Sequence, residues 1–168
     1  MDADLLPTPA GITEQVARNV CRALVETELE VIEYLTSAQN EMLKEEQVPI
    51  FTEHVLHGGM YARTITMPPW TRLIGAYIKV PTIVVTVGEG LVSVGMKARW
   101  VRGYQVIAGS AKRKQAFVTL GQPLVITAMF PTQAKTVAEA EAEFTDEAEL
   151  LLSRRQDLNK ITITEEQA

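Results

Sequence analysis

The chain has 168 residues, 22 % of them charged, and a net charge of −5. That length suits one domain with accessory helices and can bury a core without cross-links, and the single cysteine, Cys21, excludes an internal disulfide. No apolar run approaches the ~20 residues of a membrane span, and the start, with Asp2 and Asp4, lacks the basic opening of a secretory leader, so the sequence reads as soluble and intracellular.

Residues 1–49 hold ten acids and three bases, a net −7. The first twelve, with Pro7, Pro9 and Gly11, read as a loose arm, and Thr13 can cap a helix start. Val16, Val20, Leu24, Val31, Leu35 and Met42 keep one broad apolar side at helical period. They predict a long amphipathic helix to about Lys44, with Thr27 as a break point and Cys21 as a helix-face residue.

Residues 50–131 reverse the charge: two acids, Glu53 and Glu89, against nine bases, a net +7. The period also changes. Tyr61, Arg63, Ile65 and Met67 alternate with Met60, Ala62, Thr64 and Thr66, which is strand spacing. Pro68 and Pro69 force a turn, because neither can donate to a ladder. Strands come next at 73–80 and 82–87, and Gly88-Glu89-Gly90 reads as a hairpin turn. Shorter strands are predicted at 91–94, 99–101, 104–108, 115–119 and 124–130. So many short strands mean a sandwich or barrel, and no βαβ spacing appears. Tyr61, Trp70, Trp100, Tyr104, Phe117 and Phe130 are the large packing groups, and they predict a filled interior; Trp70 alternatively stands at the turn as a contact anchor.

Residues 132–168 return to acid, nine against four bases, a net −5. Thr136 with Glu139, and Asp146 with Glu149, fit capping boxes. Ile161 to Thr164 alternate like a strand, which leaves two readings, sheet addition or a frayed end, with fraying favoured. The segments 1–49, 50–131 and 132–168 thus read as helical arm, barrel and acidic helical tail. Acidic helices packing on the basic barrel, in the same chain or a neighbour, explain this partition better than a nucleic-acid surface. Such surfaces interleave aromatics with bases, and only Trp100 does so here.

The segment His57-Gly58-Gly59-Met60-Tyr61-Ala62-Arg63-Thr64-Ile65, the run from Met67 to Ile78, the turn Gly109-Ser110-Ala111-Lys112-Arg113 and the closing Met129-Phe130-Pro131-Thr132 resemble a cupin-like family of phages and prophages, over about half the chain. The resemblance implies a mainly β, cupin-type jelly-roll barrel, here with a long N-terminal helix and a C-terminal helical segment. It also implies where metal-binding histidines stand in relatives. Those positions hold Ile78, Thr82 and Phe130 here, and the neighbouring Lys79 is protonated at neutral pH and a poor ligand. His54, His57 and Glu53 could share a metal only by facing together; hydrogen bonding at a rim or interface fits the two histidines better.

No nucleotide loop or nucleophile elbow is present. His54, His57, Tyr61, Arg63, Lys79, Arg99, Tyr104, Lys112 and Arg113 are the candidate pocket or interface residues; no catalytic residue, metal or cofactor is assigned. The expected function is non-catalytic: a structural or assembly protein, phage- or prophage-related through the resemblance, forming a homo-oligomer such as a dimer and meeting other phage proteins in the cytoplasm or a virus particle. One alternative is a small-molecule-binding cupin, an isomerase-like enzyme or a sensor. The other is a nucleic-acid-binding accessory protein.

Overall fold

The computed structural model describes residues 20–164; the proline-containing arm, the Thr13 cap and Val16 lie outside them. Among the described residues nine strands form one sheet, folded over as a barrel. They are β1 (Ala23–Leu24), β2 (Phe51–His57), β3 (Met60–Met67), β4 (Arg72–Ile74), β5 (Thr82–Val94), β6 (Lys97–Gly109), β7 (Ala116–Val118), β8 (Leu124–Pro131) and β9 (Asn159–Ile163). Helix α1 (Leu29–Met42) precedes the barrel; α2 (Val137–Phe144), a 3-10 turn (Ala148–Leu150) and α3 (Leu152–Arg155) come after it. The architecture is mainly β, one sheet folded over on itself with helices before and after it.

The spatial order β1-β6-β5-β8-β3-β2-β9 makes one broad layer, and β4 and β7 pair with each other beneath it. The hinge between the layers is β5. Its first half, Ile83 to Gly88, pairs with β8, and its second half, Leu91 and Val92, pairs with β7. Both β5 and β6 are continuous thirteen-residue strands, where the sequence pattern predicts several short ones. Gly88 and Gly90 sit inside β5, and the hairpin turn falls at Gly95-Met96 instead. The reason is close approach. A Cβ on Gly88 would lie 2.2 Å from the Pro123 carbonyl oxygen, and its φ is +115°. One on Gly90 would lie 2.9 Å from the Val118 carbonyl oxygen. The glycines let two other strands pass close to β5, so they mark the bend of a barrel rather than the end of a strand.

Inward positions of β5, β6 and β8 build the main core from Val84, Val92, Val101, Ile107, Leu124 and Ile126, with Cys21, Leu24 and Met67. A second cluster at the other end joins Leu56, Tyr61, Ile78 and Phe130 to Phe144 and Leu151 of the acidic tail. There the Tyr61 ring meets Phe130 edge-on at 5.5 Å, and Phe130 stacks on Phe144 at 5.8 Å.

Three sequence expectations need correction. The helix begins only at Leu29. Before it, Val20 bridges to Trp100, and Ala23 and Leu24 pair in parallel with β6. Leu24, helical in spacing, is buried there as a strand residue, and Cys21 is buried just before the strand. The Thr136–Glu139 capping box forms, but the Asp146–Glu149 one does not; Asp146 pairs instead with Lys79 at 2.7 Å. The tail does not fray. β9 pairs in parallel with β2 of the same chain, from Asn159 to Ile163. Ile161 and Ile163 stay exposed, so backbone bonds and Asn159, not apolar burial, hold this strand, and its apolar alternation carried no signal of that.

Replacing Gly88 with alanine adds a methyl group against backbone and forces an unfavourable φ. We expect a loss of about 1–3 kcal/mol or more, read as a lower urea midpoint, whereas Gly95→Ala, whose Cβ meets open space, carries only the φ penalty.

Candidate functional site

The barrel is not filled. A cavity of about 340 Å³ opens between the strands, the end of α1 and the 150–152 turn. The aromatics leave it open: Tyr61 and Phe130 pack with Phe144 in the second cluster, Phe117 and Phe144 form part of the cavity wall, and Tyr104 is exposed. The floor is made by small and branched residues, among them Ala76, Val84, Ile126 and Ala128.

Four arginines line this mostly apolar space, and two of them, Arg63 and Arg113, are buried, whereas Arg72 and Arg155 are exposed. Arg63 is an inward residue of β3, opposite Ala128 of β8, which in turn pairs with Val84 of β5. Its Nη2 donates to Ser153 Oγ at 3.1 Å, and Ser153 Oγ donates to Glu141 Oε1 at 2.6 Å. Glu141 is itself buried and also takes Arg154. Burial lowers the Arg63 pKa, and Tyr61 and Glu141 oppose the shift. Its charge is thus balanced only through a hydroxyl, by a carboxylate it shares.

Among the described residues Arg113 has neutral partners alone. Nη1 donates to the Ser110 and Val80 carbonyls, at 2.5 and 3.5 Å, and Nη2 to Thr82 Oγ1 at 2.6 Å. The side chain is only 2 % exposed, and burial pushes its pKa down to about 10, so it remains a cation. The local chain is shaped for it. Lys112 adopts φ +59°, which lets the turn send Lys112 outward and both Arg113 and Lys114 inward. A Cβ on Gly109 would stand 2.8 Å from Arg113 Cζ. Lys114, equally buried, does have an acid: Glu147 Oε2 lies 2.8 Å from its Nζ and also accepts the Tyr77 N–H at 2.7 Å.

Unsatisfied atoms gather at the same place. Among the described residues, five buried side-chain polar atoms lack a hydrogen-bond partner, and three belong to cavity-lining residues: Arg63 Nε, Arg113 Nε and Gln39 Oε1. Gln39 reaches in from α1 and is held through Nε2, which donates to the Ile74 carbonyl at 3.2 Å. At the rim stands Trp70, 77 % exposed in a left-handed backbone conformation, φ +58°. Buried polar atoms without partners are costly, and an exposed indole on a strained turn is uncommon; both concentrate around one opening.

The remaining candidates are dispersed. His54 is buried in β2, with Nδ1 2.8 Å from Tyr61 Oη and Nε2 3.1 Å from Asn159 Oδ1. Asn159 Nδ2 donates to the Ser153 and Gln156 carbonyls, so its Oδ1 faces His54. His54 therefore donates from Nε2 and accepts from Tyr61 at Nδ1. His57 lies on the opposite, exposed face of β2, 2.6 Å from Thr164 Oγ1. The i,i+3 pair thus diverges, because β2 is a regular strand in which residues three apart point to opposite faces. Lys79 pairs with Asp146 at the surface, Arg99 stands near Cys21, and Tyr104 and Lys112 are exposed.

The donor set does not fit a cupin metal. Among the described residues no three His, Cys, Asp or Glu side chains converge. Ile78 and Phe130 are packed in the apolar cluster, and Thr82 is occupied by Arg113. No helix of the described residues is long and apolar enough to cross a membrane.

About half of the chain is similar to parts of solved structures. KdgF from Halomonas sp. matches 52 % of this chain and 86 % of its own, at 17 % identity and TM-score 0.42. The Cupin_2 domain of an XRE family transcriptional regulator from Enterobacter cloacae matches 49 % and 97 %, at 11 % identity and TM-score 0.41. The EutQ protein of Clostridium difficile matches 50 % and 64 %, at 12 % identity and TM-score 0.41. No family model and no curated protein matches the sequence.

Burial is the main cause that lowers the His54 pKa below its ordinary value of 6.5, with Arg63 adding to it and Asn159 and Glu141 opposing. The folded state therefore disfavours the proton relative to the unfolded chain. Stability from this group is complete above about pH 6.5 and is lost as pH falls through the depressed folded value. Urea titrations from pH 7.5 to 5 should show that decline, and His54→Gln should flatten it.

Proposed function

We propose that the barrel is a non-catalytic receptor for a small organic anion with an apolar body. The carrying observation is the pair of buried guanidinium groups on one mostly apolar cavity, Arg113 having no carboxylate of its own. A buried cation without a counter-ion is unfavourable in a low-dielectric site, and an anion entering the cavity relieves that cost. The rim acids Glu45 and Glu46 are exposed and act through water, so they oppose the field weakly. The volume lies at the small end of ligand sites, ~300–1,000 Å³.

Binding rather than turnover is favoured by the chemistry of the lining. General acid–base catalysis needs a group that exchanges a proton near working pH. Guanidinium groups do not, the lining includes no histidine, and its carboxylates stand at the rim. The basic character of the barrel does not favour a nucleic acid either. Lys114, Lys79 and, through Ser153, Arg63 are engaged by Glu147, Asp146 and Glu141 of the acidic tail. Placement in a phage or prophage is supported by the sequence resemblance alone.

Octanoate, octanol and octylammonium form a matched probe series, with Trp70 at the rim as fluorescent reporter. We expect octanoate to bind and the other two to bind at least tenfold more weakly. Arg63→Gln should weaken octanoate by roughly tenfold or more, about 1.5–3 kcal/mol for a charged hydrogen bond, and leave octanol unchanged. Ala128→Leu, which fills the floor and touches no charge, should abolish binding without lowering the melting temperature. Equal affinity for all three probes would overturn the reading.

A further inference from the structure

Gln39 gives the cavity a chemical demand besides its charge. The buried residues of α1 are Val31, Leu35 and Gln39, four apart on one side of the helix. The first two are apolar, as the inner side of an amphipathic helix requires. Gln39 is a polar residue in the same row, 7 % exposed, and it forms part of the cavity wall. Its orientation is set by Nε2, which donates to the Ile74 carbonyl at 3.2 Å. Turning the amide over would put Oε1 against that carbonyl, oxygen against oxygen. The atom left over is therefore the acceptor, and Oε1 is buried with no partner among the described residues.

The unpartnered atoms of the wall thus differ in kind. Arg63 Nε and Arg113 Nε are donors, whereas Gln39 Oε1 is an acceptor. A carboxylate offers acceptors alone. It answers the two guanidinium groups and leaves Gln39 as it was. A hydrocarbon body packed against Oε1 would keep that acceptor unpaired for the life of the complex, which is costly.

Resting on the receptor reading above, we infer that the ligand is a hydroxy acid: an organic anion whose apolar body carries a hydroxyl group, donated to Gln39 Oε1. Other donors fit less well. An ammonium group would enter a space lined by two buried guanidinium groups of like charge. An amide N–H brings a carbonyl with it, a further polar group to desolvate among apolar walls. A hydroxyl adds the least polar surface and the least bulk, which suits a cavity of about 340 Å³. Gln39 then sets specificity by exclusion: an analogue without the hydroxyl leaves a buried group of the site unpaired and is rejected for that reason.

Titrations of the full chain, read by Trp70 fluorescence, compare octanoate with 3-hydroxy-, 6-hydroxy- and 8-hydroxyoctanoate. The expected result is one hydroxy isomer that binds at least about fivefold more tightly than octanoate. Its methoxy and oxo counterparts, which accept hydrogen bonds and donate none, should gain nothing, and the oxo compound should fall below octanoate. Gln39→Met keeps the length of the side chain and removes the amide; it should bring the hydroxy isomer and octanoate to equal affinity. That ratio is read on one protein, so a general weakening of the fold does not mimic it, and if the variant does not fold the wild-type series decides alone. No isomer exceeding octanoate overturns the inference, as when a bound water already serves Oε1. So does a gain that the methoxy analogue shares or that Gln39→Met leaves intact. In those cases octanoate still outbinds octanol and the receptor reading stands, whereas equal affinity for octanoate and octanol brings down both.

Discussion

The site depends on a cation buried without an acid. Arg113 ties the Ser110 and Val80 carbonyls and the Thr82 hydroxyl together, and so holds the turn after β6 against the start of β5. Gly109 gives up a side chain to make room for it, and Lys112 accepts a left-handed backbone so that the next residue can turn inward. The chain thus accepts local strain to place a positive charge where no side chain among the described residues neutralises it. Lys114, one residue on, shows the ordinary solution: an equally buried cation provided with Glu147.

The acidic tail does two jobs in this arrangement. It engages barrel cations directly through Asp146 and Glu147 and, by way of Ser153, through Glu141, and it supplies Phe144 and Leu151 to both the second core cluster and the cavity wall. The segments of opposite charge seen along the sequence are therefore parts of one packed body. Asn159 completes the link. It joins His54 in β2 to the carbonyls of Ser153 and Gln156, so the residue that contacts Arg63 is held from both sides.

Much of the fold is legible in the sequence because alternation and proline placement are local signals. The β3 strand, the 68–69 turn, β8 and the Thr136 cap follow from them. The features that alternation misses have a non-local cause. Gly88 and Gly90 are required by the passage of Pro123 and Val118, which no window of neighbouring residues contains. Cys21 and Leu24 have spacing that suits a helix as well as two contacts on β6. In the site, Arg63 and Arg113 are both legible as candidates, but nothing local joins them; the β3-β8-β5 register does. Gln39 and Glu141 give no sign at all, since a polar residue on an amphipathic helix reads as solvated until a neighbour covers it. Trp70 is legible as a turn residue and illegible as a rim. The small side chains at Ala76 and Ala128, which leave the interior open, are unremarkable in any alternation pattern.

Cys21 carries a consequence of its own. Its thiol is 2 % exposed, its backbone N–H is bound to the Trp100 carbonyl, and burial pushes its pKa up. A thiol so placed is both shielded and protonated, hence inert toward alkylating reagents while β1 lies on β6. The molecule thereby contains a natural stopwatch for one event, the peeling of its first strand, whose ticks are counted by the rate at which a label is taken up.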